Sequence, residues 1–139
     1  MLATKELPDV AEQQVVVFKY GIPGFEDVKE FYLEDIEEYP PFKMFQAKEY
    51  EDIAMIVINA QLLSSYEYMK IPSAELRKLD IKDPNNVEMY VILRANQEEQ
   101  QFTANTKAPI IINLSNMRGN QVILDSNQLS SQNRLDTLL

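Results

Sequence analysis

Apolar positions along this chain fall into short runs separated by polar links, the spacing of strands rather than helices. Val15, Val16, Val17 and Phe18 form the first run, a short buried strand. Glu30 to Asp35 alternates, with Phe31 and Leu33 on one face and Tyr32 and Glu34 on the other, as in a strand with one wet side. Tyr39-Pro40-Pro41 breaks that pattern, and Phe42 to Ala47 resumes it. Glu49 to Asp52 makes a turn, after which Ile53 to Ile58 reads as a central, fully buried strand. Val87 to Arg94 is a further strand with Val87, Met89, Val91 and Leu93 inward. The polar stretch Asn96 to Gln100 turns it into a hairpin with Gln101 to Thr106.

The architectural centre is Thr103 to Asp125, where the runs Pro109 to Leu114 and Gln121 to Asp125 flank a polar link. Ile110, Ile111 and Ile112 are consecutive, as are Val122, Ile123 and Leu124, so both strands are expected to be buried on both faces. Gly119 is placed at the hairpin's tight position and Pro109 at the first residue of its strand. Gln61 to Ile71 fits helical and strand spacing equally. Ser73 to Leu79 reads as a short helix capped by Ser73, and Asp83-Pro84-Asn85-Asn86 as a turn. Met1 to Glu12 is expected to be irregular or an edge segment. Ser126 to Leu139 is expected to be a partly ordered tail, with a short docking segment as the alternative. Seven to nine short strands and one short helix predict a mostly β fold: a small antiparallel β-barrel, closed or nearly so, in a single domain over 1–139.

Composition narrows the function. With 139 residues the chain can bury roughly 70% of its unfolded surface without disulfides or metal. It has no cysteine and no histidine, which removes thiolate chemistry, the usual zinc sites and the commonest general base. No basic-plus-apolar leader and no membrane-length apolar run is visible, so a cytoplasmic protein is expected. Net charge is −9, and ten acids against three lysines between Glu26 and Asp52 put −7 in that window alone. Such a field repels polyphosphate backbones and steers basic proteins toward it, so direct nucleic-acid binding is not expected.

No catalytic pattern stands up. Three glycines cannot build a phosphate-cradling loop, and serine nucleophiles lack a histidine base. Glu49, Glu51 and Asp52 lack the spaced loop with a central glycine that a calcium site uses. The chain therefore reads as a non-enzyme with no cofactor, metal or small-molecule substrate. The most distinctive loop is Tyr20-Gly21-Ile22-Pro23-Gly24-Phe25-Glu26, whose proline fixes its own φ and holds Ile22 extended. Burial statistics favour Phe25 tucked into the core, whereas a rigid loop with an aromatic tip suits a partner anchor.

Two separated stretches, FKYGIPGFE (Phe18 to Glu26) and TANTKAPIIINLSNMRGNQVILD (Thr103 to Asp125), together resemble the FliW family of flagellar assembly factors. PFKMFQ (Pro41 to Gln46) and IAMIVINA (Ile53 to Ala60) look like that family's intervening segments, in the right order. Ala60 stands where the family often has proline, and Asn133-Arg134-Leu135 is a loose echo of its C-terminal end. The resemblance implies a small β-barrel-like partner switch. Such a protein binds the basic, dimeric RNA-binding regulator CsrA, away from the RNA-binding surface, and relieves repression of flagellin translation. It also binds flagellin, which competes for it. A flagellin chaperone without CsrA binding is the alternative. Candidate partner-binding residues are Ile22, Pro23 and Phe25 as anchors, Glu26, Asp27 and Glu30 as steering charges, and Asn105 and Lys107 ahead of the hairpin.

Overall fold

A computed structural model describes residues 14–139; the expectation for Met1 to Glu12 lies outside the described residues. Eight strands form one sheet: β1 (Gln14–Val17), β2 (Glu30–Asp35), β3 (Lys43–Ala47), β4 (Ala54–Asn59), β5 (Val87–Asn96), β6 (Gln101–Asn113), β7 (Arg118–Gln121) and β8 (Asn133–Arg134). Their order is β5-β4-β3-β2-β1-β7-β6, and β5 pairs back onto β6, so seven strands close a barrel with β8 added to the side of β6. Closure removes the free edges that an open sheet would leave. All pairings are antiparallel except β1 with β7. That pair is parallel and touches at Val17 and Arg118, with Val17 N–H donating to the Met117 carbonyl at 2.9 Å. The single α-helix among the described residues, α1 (Ser73–Lys78), starts from Pro72, and Ser73, expected as its cap, is the first helical residue.

Two apolar clusters lie on opposite sides of the barrel wall. The inner one holds Val16, Phe18, Phe31, Phe45, Val57, Tyr90, Ile110 and Ile112. Its aromatic rings meet edge to face, Phe18 on Phe31 at 5.4 Å and Phe45 on Tyr90 at 6.0 Å between centroids, the arrangement ring quadrupoles favour. The second cluster lies outside β4, β5 and β6, where Ile58, Val91, Leu93, Ala104 and Ile111 are covered by Leu63, Met69, Leu79, Leu129, Leu135 and Leu138. Neighbours along β5 explain the pairing: Tyr90 turns inward and Val91 outward, and both are fully buried.

Several expectations are corrected by this arrangement. Gln101 to Thr106 and Pro109 to Leu114 are one 13-residue strand, so Pro109 is interior to β6. It is tolerated there because the register with β5 jumps: Ile92 faces Asn105 and Tyr90 faces Ile110, leaving 106–109 opposite Val91 alone. A missing donor costs no ladder bond at such an irregularity. Gly119 lies inside β7, not at the turn, and the positive φ of 56° belongs to Met117. A Cβ on Gly119 would stand 2.9 Å from Val16 Cγ1 and 3.0 Å from Phe18 Cζ, so glycine is needed for close approach. Ile123 is 67% exposed, so its run alternates instead of being buried on both faces. Ala54 at the start of β4 is exposed, so Ile53 to Ile58 is not buried throughout.

The expected tail is packed against the outer cluster. Ser130 ties it down: its carbonyl accepts from Thr106 N–H at 2.9 Å and from Thr106 Oγ1 at 3.0 Å, while its own N–H donates to Thr106 Oγ1 at 2.9 Å. Thr106 Oγ1 also lies 2.6 Å from Asn133 Oδ1. The polar residues that disguise this segment in sequence thus make the bonds that seat its three buried leucines.

Candidate partner-binding surface

The loop between β1 and β2 is set by Gly21, whose φ is +71° and whose missing Cβ would fall 2.5 Å from the Glu26 carbonyl oxygen. No other residue fits there. Gly21 N–H donates to the Phe18 carbonyl at 2.9 Å, Phe25 N–H to Ile22 at 2.7 Å, and Val28 N–H to Phe25 at 2.9 Å. This chain of turns divides the loop's two large apolar residues. Ile22 points into the inner cluster and is 2% exposed, so the anchor role assigned to it is withdrawn. Phe25 points out and is 40% exposed, which overturns its expected place in the core. Pro23, Glu26 and Asp27 are exposed beside it.

Glu26 steadies this loop, its carboxylate accepting from Gly24 N–H at 3.2 Å. Its own backbone N–H, then that of Gly24, and more weakly the Lys29 charge hold the carboxyl below its ordinary range. Glu30, the first residue of β2, is partly exposed and sits 3.7 Å from Lys48 Nζ. Asn105 and Lys107 lie elsewhere: both are on β6, which β7 and β1 separate from β2. Asn105 is half-buried opposite Ile92, and its amide oxygen is enclosed without a hydrogen-bond partner among the described residues. Lys107 is exposed, and its carbonyl accepts from Leu124 N–H at 2.7 Å.

The sheet register adds residues that sequence reasoning missed. An open groove of about 340 Å³ runs between the loop and the β3–β4 turn, lined by Val17, Asp27, Val28, Lys29, Glu30, Glu49 and Tyr50. Val17 is 38% exposed and Tyr50 44% exposed. Tyr50 comes from a turn read only as acidic punctuation. Val17 sits between two inward residues, and strict alternation in β1 was the signal that could have placed it outward. Among the described residues no three carboxylates converge closely enough to hold a metal ion.

Fold and surface together define a small closed β-barrel with one outer wall covered by its own chain and another carrying acids and exposed aromatics. The family model described as "FliW protein" matches residues 3–135. The "Flagellar assembly factor FliW" of Thermoanaerobacter pseudethanolicus is 41% identical over 115 residues, covering 82% of this chain and 77% of that protein. The protein of the same name from Clostridium botulinum is 37% identical over 115 residues, covering 82% and 81%. A solved structure, "Crystal structure of the flagellar assembly factor FliW", superposes with a TM-score of 0.78 at 31% identity, covering 88% of this chain and 85% of that one. The chain belongs to the FliW family of flagellar assembly factors. Among the described residues, no helix is long and apolar enough to cross a membrane.

Proposed function

We propose that this protein is a partner switch in flagellar assembly, binding a CsrA-type basic regulator in one state and flagellin in the other. The regulator and flagellin are the partners that the FliW resemblance implies. The observation that carries the reading is where the acidic window falls. The −7 stretch from Glu26 to Asp52 builds β2, β3 and the turns around them, beside the outward Phe25. Clustered charge of one sign raises the encounter rate of an oppositely charged partner and is weakened by salt. Affinity then needs desolvated apolar contacts, which Pro23 and Phe25 supply on a loop already rigid before binding. The same field disfavours direct contact with nucleic acid, so antagonism proceeds by holding the regulator, not by imitating RNA.

Titration calorimetry of the purified protein with a CsrA dimer, at low and at moderate salt, tests this directly. Tight binding that weakens with salt is expected, together with its loss in Phe25→Asp while that variant keeps a cooperative melt. Flagellin titrated separately distinguishes the alternative, since a chaperone without regulator activity binds flagellin and ignores CsrA at both salts.

A further inference from the structure

We infer that the groove between Val17 and Tyr50 seats one arginine or lysine side chain of a basic protein partner, gripping stem and head by different groups. The inference rests on the reading that the acidic face receives a basic protein, and adds which side chain enters and where. Val17 and Tyr50 offer an aliphatic and an aromatic surface of the kind along which a long cationic side chain lays its methylenes. Asp27, Glu30 and Glu49 line the same groove and supply the carboxylates that a charged head would meet.

The native lysines nearby do not fill this role. Lys29 also lines the groove, but its Nζ donates to the Lys19 carbonyl at 3.3 Å, on its own loop. Lys48 Nζ is 3.7 Å from Glu30. Asp27 and Glu49 have no cationic partner among the described residues. Two unpaired carboxylates beside an exposed tyrosine ring therefore form a site complementary to a cation, with the ring face adding a cation–π contact. Charge also argues against a second copy of this chain as the occupant, because each copy would bring its own −7 face to the other.

The test uses the full chain, uniformly ¹⁵N-labelled, titrated with the peptide acetyl-Gly-Leu-Arg-Leu-Gly-amide and with its citrulline counterpart, which keeps shape and loses charge. Shifts centred on the amides of Val17, Asp27, Glu30 and Tyr50 are expected, with at least tenfold weaker binding of the citrulline peptide and of arginine to Tyr50→Ser. Equal binding of the two peptides, or shifts centred elsewhere, overturns the inference. In parallel, the CsrA dimer is titrated into wild type and Tyr50→Ser, with at least a tenfold loss expected. If CsrA binds both equally, the groove assignment fails while the partner reading stands. If CsrA binds neither but the arginine peptide still maps to the groove, the partner reading fails and the groove stands. Sedimentation showing a wild-type dimer that Tyr50→Ser dissociates would assign the groove to a second copy and overturn the inference.

Discussion

The barrel wall has two outer halves built from similar strands and treated in opposite ways. Outside β4, β5 and β6 the outward residues are aliphatic, and the chain covers them with the excursion between β4 and β5 and with its C-terminal segment. Outside β1, β2 and β3 the outward residues are Val15, Val17, Glu30, Tyr32, Glu34, Met44 and Gln46, and the apolar ones among them join neither cluster. A sheet buried on both faces must give up its polar residues on both, which is why Met89 to Leu93 of β5 and the isoleucine run of β6 are apolar without alternation. A sheet left open on one side keeps the alternation, as β2 does. The difference separates stability from interaction: one wall is closed by its own chain, and the other is left acidic for a partner.

Removing the cover of the closed wall gives the largest expected effect. Truncation after Asp125 strips Leu129, Leu135 and Leu138 from the outer cluster. At about 2–5 kcal/mol for each buried leucine removed, the sum rivals the roughly 5–15 kcal/mol that holds a domain folded. Loss of the cooperative thermal transition is expected by circular dichroism. A truncated chain that melts like the full one would show that the cover is dispensable.

Thr106→Val is the next step down. It leaves Ser130 N–H without its acceptor and removes the hydroxyl beside Asn133, at a cost of about 1–3 kcal/mol. Hydrogen exchange localises the change: amides of 126–139 are expected to exchange faster while those of β2 and β3 do not. Uniform acceleration would mean that strap and barrel open as one unit.

On the open wall the expectation reverses. Reversing Asp27, Glu30 and Glu49 to lysine should shift the melt little, as exposed substitutions do, yet slow association with a CsrA dimer at least tenfold at low salt. An unchanged association rate removes the steering argument.

The smallest effect concerns Glu26. Its carboxyl is held low by its own and Gly24's backbone N–H groups, so the loop's contribution is present above the ordinary glutamate range and lost as pH falls through the lowered value. An NMR titration should place its midpoint below the ordinary glutamate value. A midpoint at the ordinary value would leave the loop without that support.

Legibility in sequence followed the same division. The open wall was readable because alternation survives there: β2 has the bounds Glu30 to Asp35 and the faces that its pattern implied. The closed wall was harder. Its cover is spaced among Ser, Asn and Gln, and nothing local says that Thr106, more than twenty residues upstream, satisfies Ser130. Gly119 looked like a turn residue because glycine commonly is one. Its actual constraint is the approach of Val16 and Phe18 from a strand a hundred residues earlier. At the site, the rigidity of the Gly21–Gly24 loop was legible, but that Ile22 turns inward and Phe25 outward was not. Tyr50 and Glu49 reach the groove only through the register of β2 on β3, which no short-range pattern encodes.

Hydrogen–deuterium exchange of this protein with and without a CsrA dimer tests the division of the two walls most directly. Added protection is expected in 22–32 and 43–50, with the 60–81 excursion and the 126–139 strap unchanged. Protection over the strap and the excursion, with none on β1 to β3, would contradict it.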